Sequence, residues 1–561
     1  MTTVVLNTTT RKVEVFSSAR DVQARAYGHD SKPALEAATV PAGISQLFLR
    51  GYAEAGDGGA ANYKRVASEP GHAGKIQSAD GAWWEIAERL YTFKQFGATG
   101  DGTTDDTTAI NNAVSAAATT GVGRVHGPAG TYIVSAAIIG QSGVHIFGDG
   151  IGATIIKREA STAAMQMVSF SGVSNFSIRD MTLDGNRANV ATDGHNIRIA
   201  EDCDTFYLGN LHLLDAYSYG IGITGTLGNK RGIFESIQIE GSGADCIDIK
   251  NGSEVNEALT FNNLVLIDPG MIKVDQAAFD TRSAVQVSNI TVLIRNLPNA
   301  PVHGVRLRFT TPDAGARHCE LTNAYVRNDA VLAGDSHGFS IGGRGNVITG
   351  GRVINMTRAV FTPPGFDAIR NKFIGITAEN CTHGFSDSSE DNEWIGCNAY
   401  GCAGDGFRMI SSTRAKIIGG ESVGNDRGIN GTSATDLIHI GLRCASNPSG
   451  DFGGIPASGH SVASLGLTAA LPLANGSGVK QAELGTTASP VNFMRVAGGA
   501  TGSSPEMSAQ GSDTDIDLAL TPKGTGKVRF GAHAAIGAET VTGYVEIKDS
   551  GGTVRKVAVV S

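Results

Sequence analysis

The chain has 561 residues, 75 of them glycine, and a formal charge of −9 at pH 7. Glycine well above its usual share of about 7% points to many tight turns with positive φ, and an acidic balance without long basic runs excludes nucleic acid as the main partner. No run of about 18 apolar residues occurs, so no membrane insertion is expected.

Residues 1–90 differ in texture from the rest of the chain and read as a separate unit. Val13–Phe16, Gln46–Arg50 and Asn62–Val66 read as strands around a Gly56–Gly59 turn. Trp83 and Trp84 stand side by side, as a docking surface or as the core of a small β-domain. The first fifteen residues lack the basic region and apolar core of a secretory signal, so export by that route is not expected.

Residues 91–124 form a linker and a capping helix. Thr104 or Asp105 suits the N-cap, and Ile110, Ala113, Val114 and Ala117 make one apolar stripe. Such a helix would seal the open end of a repetitive core. Asp101, Asp105 and Asp106 either cap turns or hold a divalent cation.

From residue 125 to 458 the chain repeats. Phe339, Phe361, Phe385, Phe407 and Ile429 lie 22, 24, 22 and 22 residues apart, and Ile197, Ile221 and Ile247 are separated by 24 and 26. Between them run short β-like phrases, Phe176–Leu183, Phe206–Leu213, Phe234–Ile239, Lys416–Gly420 and Leu437–Ile440, punctuated by Gly, Asn and Asp. A period near this length with no room for helices predicts an all-β solenoid of two or three strands per coil, a parallel β-helix. A leucine-rich repeat is set aside because it needs regular leucines and an asparagine ladder, which the text does not display. The seven cysteines are irregularly spaced and odd in number, so buried free thiols are expected rather than disulfides or zinc ligands.

Beyond residue 458 the rung spacing stops, and residues 460–510 are rich in small residues. Asp515–Phe530 reads as two strands about a Pro-Lys-Gly-Thr-Gly turn, and Gly543–Val560 as a hairpin. So few bulky groups favour packing between subunits for residues 459–561.

Three phrases carry a family resemblance: Phe96–Ile110, Gly127–Tyr132 and Ile146–Ile155. They resemble the opening of pectate-lyase-superfamily right-handed β-helices. With Phe48–Gly59 and Asp80–Trp84 before them, the arrangement looks like a tailed-bacteriophage tailspike. That resemblance implies an N-terminal domain attached to the virion tail or baseplate, a homotrimeric β-helix that binds or cleaves host surface polysaccharide, and a C-terminal domain for trimerisation or ligand contact. It also implies synthesis in the host cytoplasm and residence on the particle.

The densest chemistry lies in Phe234–Lys250. With Ile237, Ile239, Ile247 and Ile249 inward, alternation sends Gln238, Glu240, Cys246, Asp248 and Lys250 outward. Glycoside hydrolysis needs two carboxylates about 5–5.5 Å apart for retention or about 6.5–9.5 Å for inversion. Asp245 and Asp248, with Glu240 or Glu235 on the preceding strand, are the catalytic candidates. The phrase Asp245–Asp248 also resembles an acidic element of β-helical polygalacturonases, although Ala244 and Cys246 depart from it and no Asp-Asp pair is found at the usual place. A solvated face with turn-capping aspartates is the other reading.

A lyase would instead use a base and a cation beside a uronate carboxylate. Lys250, Arg306 or Arg308, with His303 nearby, suit that role, and Lys250, Asp215, His303 and Arg306 are the substrate-binding candidates. Asp184, His195 and Asp268 are further outward-facing groups, and Trp394 either stacks on a sugar or fills the core. No cofactor or metal is expected. The expected function is recognition of a bacterial surface polysaccharide with hydrolysis; the alternatives are a non-catalytic adhesin and a polysaccharide lyase.

Overall fold

The computed structural model describes residues 27–160, 163–251, 254–296, 299–311, 314–330 and 334–450, and the shorter stretches 3–7, 12–16, 452–453, 461–462, 471–474, 480–484, 492–497, 505–520, 540–548 and 553–560. Two compact units divide the chain, Met1–Leu467 and Thr468–Ser561.

The first unit is a parallel β-helix. The coils place a short strand in a 13-stranded sheet and, in a 21-stranded sheet, one longer strand on the middle coils or two three-residue strands on those from Glu393 onward. The longer strands, such as Ser174–Asp184, Asp204–Leu214 and Lys230–Glu240, pair in parallel along their length. Each is bent where one residue takes a left-handed conformation: Asp180 (φ 59), Asn210 (φ 48), Ser236 (φ 55), then Asn263, Asn289 and Asn323 on later coils. Asn and Asp tolerate that region better than other side chains because a short polar group bonds locally. From Gly350 onward glycine takes the same place, at no steric cost.

The core is a set of stacks, one inward residue per rung. Phe176 lies 5.1 Å from Phe206, Phe234 4.3 Å from Phe261, and Phe373 4.1 Å from Trp394, centroid to centroid. Gly232 is required at its place, since a Cβ there would sit 2.3 Å from the Phe206 ring. Trp394 is fully buried, which places it in the core rather than on a sugar-binding face. The short rungs stack Ile197, Ile221 and Ile247 as their spacing predicts. Further on, Phe339 is followed by Val360, Phe385, Phe407 and Ile429. Phe361 therefore faces outward, opposite Ser340 and Ser386. One residue of difference in turn length, with a side-chain period of two, reverses the face.

Asparagine ladders do occur, contrary to expectation. Asn346 N–H donates to Asn371 Oδ1 at 2.9 Å and Asn371 N–H to Asn392 Oδ1 at 2.9 Å, all three fully buried. The 25- and 21-residue spacing of these residues conceals the ladder in the sequence.

The helix Thr107–Thr120 packs Ile110, Ala113, Val114 and Ala117 with no exposure. Its N-cap is Asp106 rather than Thr104 or Asp105, because Asp101–Asp105 is an extended strand. The three aspartates serve their own loop: Asp101 accepts from Thr103 and Thr104, Asp105 from Thr107, and Asp106 from Thr99 and Gly100. Ahead of the helix, Gln46–Leu49, Ala61–Val66, Lys75–Gln77 and Trp83–Ile86 form a four-stranded antiparallel sheet. Trp84 is buried in it, its Nε1 donating to Ser78 Oγ at 3.0 Å. All seven cysteines are free; six are buried and Cys444 is half-buried.

In the second unit, Val541–Lys548 and Val554–Val560 make the expected antiparallel hairpin. Asp515–Leu520 is not a strand, and the rest of that expected pair, to Phe530, lies outside the described residues.

Candidate functional site on the thirteen-stranded sheet

Register on the short strands fixes an outward column one residue after the inward stack: Arg198, Gly222, Asp248, Asp280, Arg306, Ser340 and Phe361. Parallel in-register pairing sets neighbours in such a column about 4.8 Å apart, so residues some 30 positions distant become adjacent charges.

Asp245, Asp248 and Asp280 converge, each offering an oxygen within 4.8 Å of the others. Asp245 and Asp248 were legible in the sequence. Asp280 was not, although Phe279-Asp280-Thr281 repeats the in-out-in pattern of Ile247-Asp248-Ile249 one coil later. Glu235 and Glu240, expected as their partners, lie on Lys230–Glu240 in the other sheet, near Tyr207 (3.5 Å) and His212 (3.9 Å) respectively. A coil turns between the two strands, so closeness in sequence does not become closeness in space. Cys246, expected outward, is fully buried in the apolar core.

Cations surround the three aspartates. Arg282 Nη1 is 2.7 Å and Lys250 Nζ 3.1 Å from Asp248. Arg306 Nη2 is 2.8 Å and Arg308 Nε 2.7 Å from the same oxygen of Asp280. Asp245 accepts from the Ala277 N–H at 2.6 Å and lies 3.7 Å from Arg306. Burial, followed by the charges of Asp280 and Asp248, pushes the Asp245 carboxyl well above the usual range. The three side chains are 4%, 1% and 0% exposed. What faces solvent is the layer above them.

That layer is assembled from three rungs. Lys250, 40% exposed, bonds the Tyr219 hydroxyl at 3.1 Å and lies over the ring at 4.7 Å. Tyr219 packs against His195 with centroids 4.8 Å apart, and Lys273 approaches the same ring at 5.6 Å. Gly222 makes room for the imidazole, since a Cβ there would come within 3.0 Å of it. Burial pushes His195 down to about 4 and Tyr219 upward. Burial opposes the Lys250 charge, but Asp248 and the Tyr219 hydroxyl together outweigh it and raise that pKa. Near neutral pH the cluster thus presents a neutral imidazole, a protonated phenol and an ammonium group. Tyr219 was missed in the sequence; it precedes Gly220-Ile221 as His195 precedes Asn196-Ile197, one coil apart.

The remaining candidates lie apart from this cluster or beside it. His303 Nε2 donates to Asp275 at 3.0 Å, its Nδ1 accepting from the His337 N–H, and Asp275 also meets Arg306 at 3.1 Å; they flank the far side of the aspartates. Asp215 pairs with Arg187 at 2.9 Å, Asp184 with Lys157 at 2.8 Å, and Asp268 accepts from the Arg295 and Asn296 backbone.

The family described as rhamnogalacturonase A/epimerase, pectate lyase-like, matches residues 92–293. Mannuronan C5-epimerase AlgE4 of Azotobacter vinelandii is 41% identical over 113 residues, 18% of this chain and 20% of that protein. Alginate lyase 7 of the same organism is 36% identical over 145 residues, 24% of this chain and 16% of its own length. The chain therefore spans a fifth or less of these relatives. Tailspike gp49 of Acinetobacter baumannii bacteriophage Fri1, a capsular polysaccharide depolymerase, superposes with a TM-score of 0.50 at 14% identity, covering 78% of this chain and 76% of that one. Residues 92–293 are thus similar to a pectate-lyase-like family, and the parallel β-helix is a fold that this chain shares with the phage tailspike.

Proposed function

We propose that this protein is a phage tailspike that binds an acidic bacterial surface polysaccharide along the thirteen-stranded sheet and cleaves it by β-elimination beside a uronate. The observation that carries the reading is the half-buried Lys250–Tyr219–His195 cluster backed by Asp248. Lys250 meets the sugar carboxylate and steadies the negative charge that grows on it; neutral His195 takes the proton from the adjacent carbon; the Tyr219 hydroxyl returns a proton to the departing glycosidic oxygen. The products are an unsaturated uronate end and a new reducing end. The segment matches to an alginate lyase and to mannuronan epimerases support this class of proton chemistry over simple binding.

Hydrolysis is the second reading, favoured by the raised Asp245 beside two ion-paired aspartates, a separation of acid roles that glycosidases use. Its difficulty is burial, since Asp280 has no exposed surface. Incubation with a uronate-containing capsule separates the two. Elimination yields unsaturated, ultraviolet-absorbing ends, reduced about 10²–10⁴-fold in Tyr219→Phe. Shortening without unsaturation, abolished by Asp245→Asn and retained by Tyr219→Phe, establishes hydrolysis instead; tight binding without shortening establishes an adhesin.

The assembly belongs to the same proposal. Residues 1–90 attach to the tail or baseplate, and three copies associate through residues 459–561. Supporting this, Val545, Ile547 and Val557 share one face of the terminal hairpin and are 56%, 51% and 49% exposed, and an isolated hairpin is marginal in water. Light scattering should give three times the mass of the chain, and a monomer after deletion of residues 540–561.

A further inference from the structure

Beyond the aspartates, the outward column reaches a cavity of about 340 Å³ whose lining includes Asp275, His303, Asp335, His337, Phe361 and Phe366. That size suits a small ligand unit. Phe366 is 50% exposed, and Phe361 presents its ring where the paired positions on both sides are serines. Phe366 offers an apolar wall, and Phe361 lies under the Arg358 guanidinium at 4.1 Å. Beside them, His337 has a side chain only 7% exposed and packs against Phe361 at 4.7 Å, ring to ring. Its Nδ1 has no hydrogen-bond partner among the described residues, whereas Nε2 faces the Asp335 carboxylate at 3.1 Å. A buried ring nitrogen without a partner is costly unless something supplies one, and with Nε2–H facing Asp335 a sugar hydroxyl can donate to Nδ1.

Charge selects which sugar. The carboxylates of Asp275 and Asp335 are 59% and 49% exposed at this cavity and both are paired, Asp275 with Arg306 at 3.1 Å and Asp335 with Arg358 at 3.1 Å, while Arg306 and Arg308 also meet Asp280. Arg306, Arg308 and Arg358 are each engaged by an aspartate, so a carboxylated sugar finds none of them free, whereas an uncharged pyranose donates hydroxyls to the exposed oxygens of the two aspartates and lays its apolar face on Phe366. Lys250 lies four rungs away, about 19 Å along the axis at ~4.8 Å per rung, so one chain can occupy both places.

We propose that this cavity is a subsite for an uncharged pyranose, and hence that the polysaccharide is a mixed polymer of uronate and neutral sugars rather than a homopolymeric uronate. The inference rests on the reading of Lys250 as the uronate contact, and its test is a binding measurement independent of bond cleavage. Full-length protein is titrated calorimetrically with oligomannuronate and with mixed oligosaccharides released from an acidic heteropolymeric capsule. The mixed probe should bind more tightly, and Phe366→Ala should weaken it roughly tenfold without altering oligomannuronate binding or the melting temperature. His337→Phe should do the same, and Lys250→Met should weaken both probes. Unchanged affinity of the mixed probe for Phe366→Ala overturns the proposal, as does binding of neither probe, or oligomannuronate binding that is as tight and equally sensitive to Phe366. If the binding pattern holds but no unsaturated product forms, the subsite stands and the elimination reading fails.

Discussion

Replacing Asp280 by Asn removes a buried charge while keeping the side chain's shape. Asp280 has no exposed surface and takes Arg306 at 2.8 Å and Arg308 at 2.7 Å on one oxygen. Breaking a buried pair by removing one partner costs about 3–5 kcal/mol, because the other charge is left uncompensated. Here the cost is at the low end. Arg306 keeps Asp275 at 3.1 Å and Asp245 at 3.7 Å, Arg308 is a third exposed and can turn to water, and Asp248 loses a like-charged neighbour. A net destabilisation of ~2–3 kcal/mol is the result. The assay is denaturant unfolding of Asp280→Asn, Arg306→Met and the double variant, read by tryptophan fluorescence. The double variant should be markedly less damaged than the sum of the singles, with a coupling of about 1.5 kcal/mol or more. A single variant as stable as the wild type, or strict additivity, would refute the reasoning that Asp280 serves as the counter-charge of the site.

Burial has two further consequences. His195 and His303 are pushed from 6.5 down to about 4 by burial, so between those values the unfolded chain binds protons that the folded one refuses. Their contribution is fully present above pH 6.5 and is lost as pH falls through about 4, by up to about 3 kcal/mol each; the melting temperature should fall across that window, less steeply in His195→Asn, and a flat profile from pH 7 to 4.5 would overturn the assignment. Asn371→Ala should cost about 2–4 kcal/mol, since it orphans the buried Asn346 N–H and the Gly343 carbonyl. Hydrogen exchange should show the loss centred on the coils of Asn346 and Asn392, and unaltered protection there would count against the ladder.

The repetitive fold was legible because it is written in short-range terms. Ile197, Ile221 and Ile247 recur at coil length, glycine and asparagine mark the bends, and Ile110–Ala117 shows its apolar stripe without reference to anything distant. The same reading misplaced Phe361 by one position and overlooked the ladder of Asn346, Asn371 and Asn392, because unequal turns shift register by amounts that a period cannot resolve. At the site, the pair Asp245 and Asp248 stood close in sequence and could be singled out; Glu235 and Glu240 stood as close and proved to be on another sheet. Asp280 reaches the same cluster from 32 residues beyond Asp248, and Tyr219 and His195 from 29 and 53 residues before it. Local patterning thus determines that the chain coils and, for most strands, which residues alternate inward and outward, since alternation and turn propensity act over a few residues. Which outward residues meet, and which acids are withdrawn beneath a layer of cations, is decided only when parallel pairing sets one coil upon the next, because that register depends on the length of every turn between them.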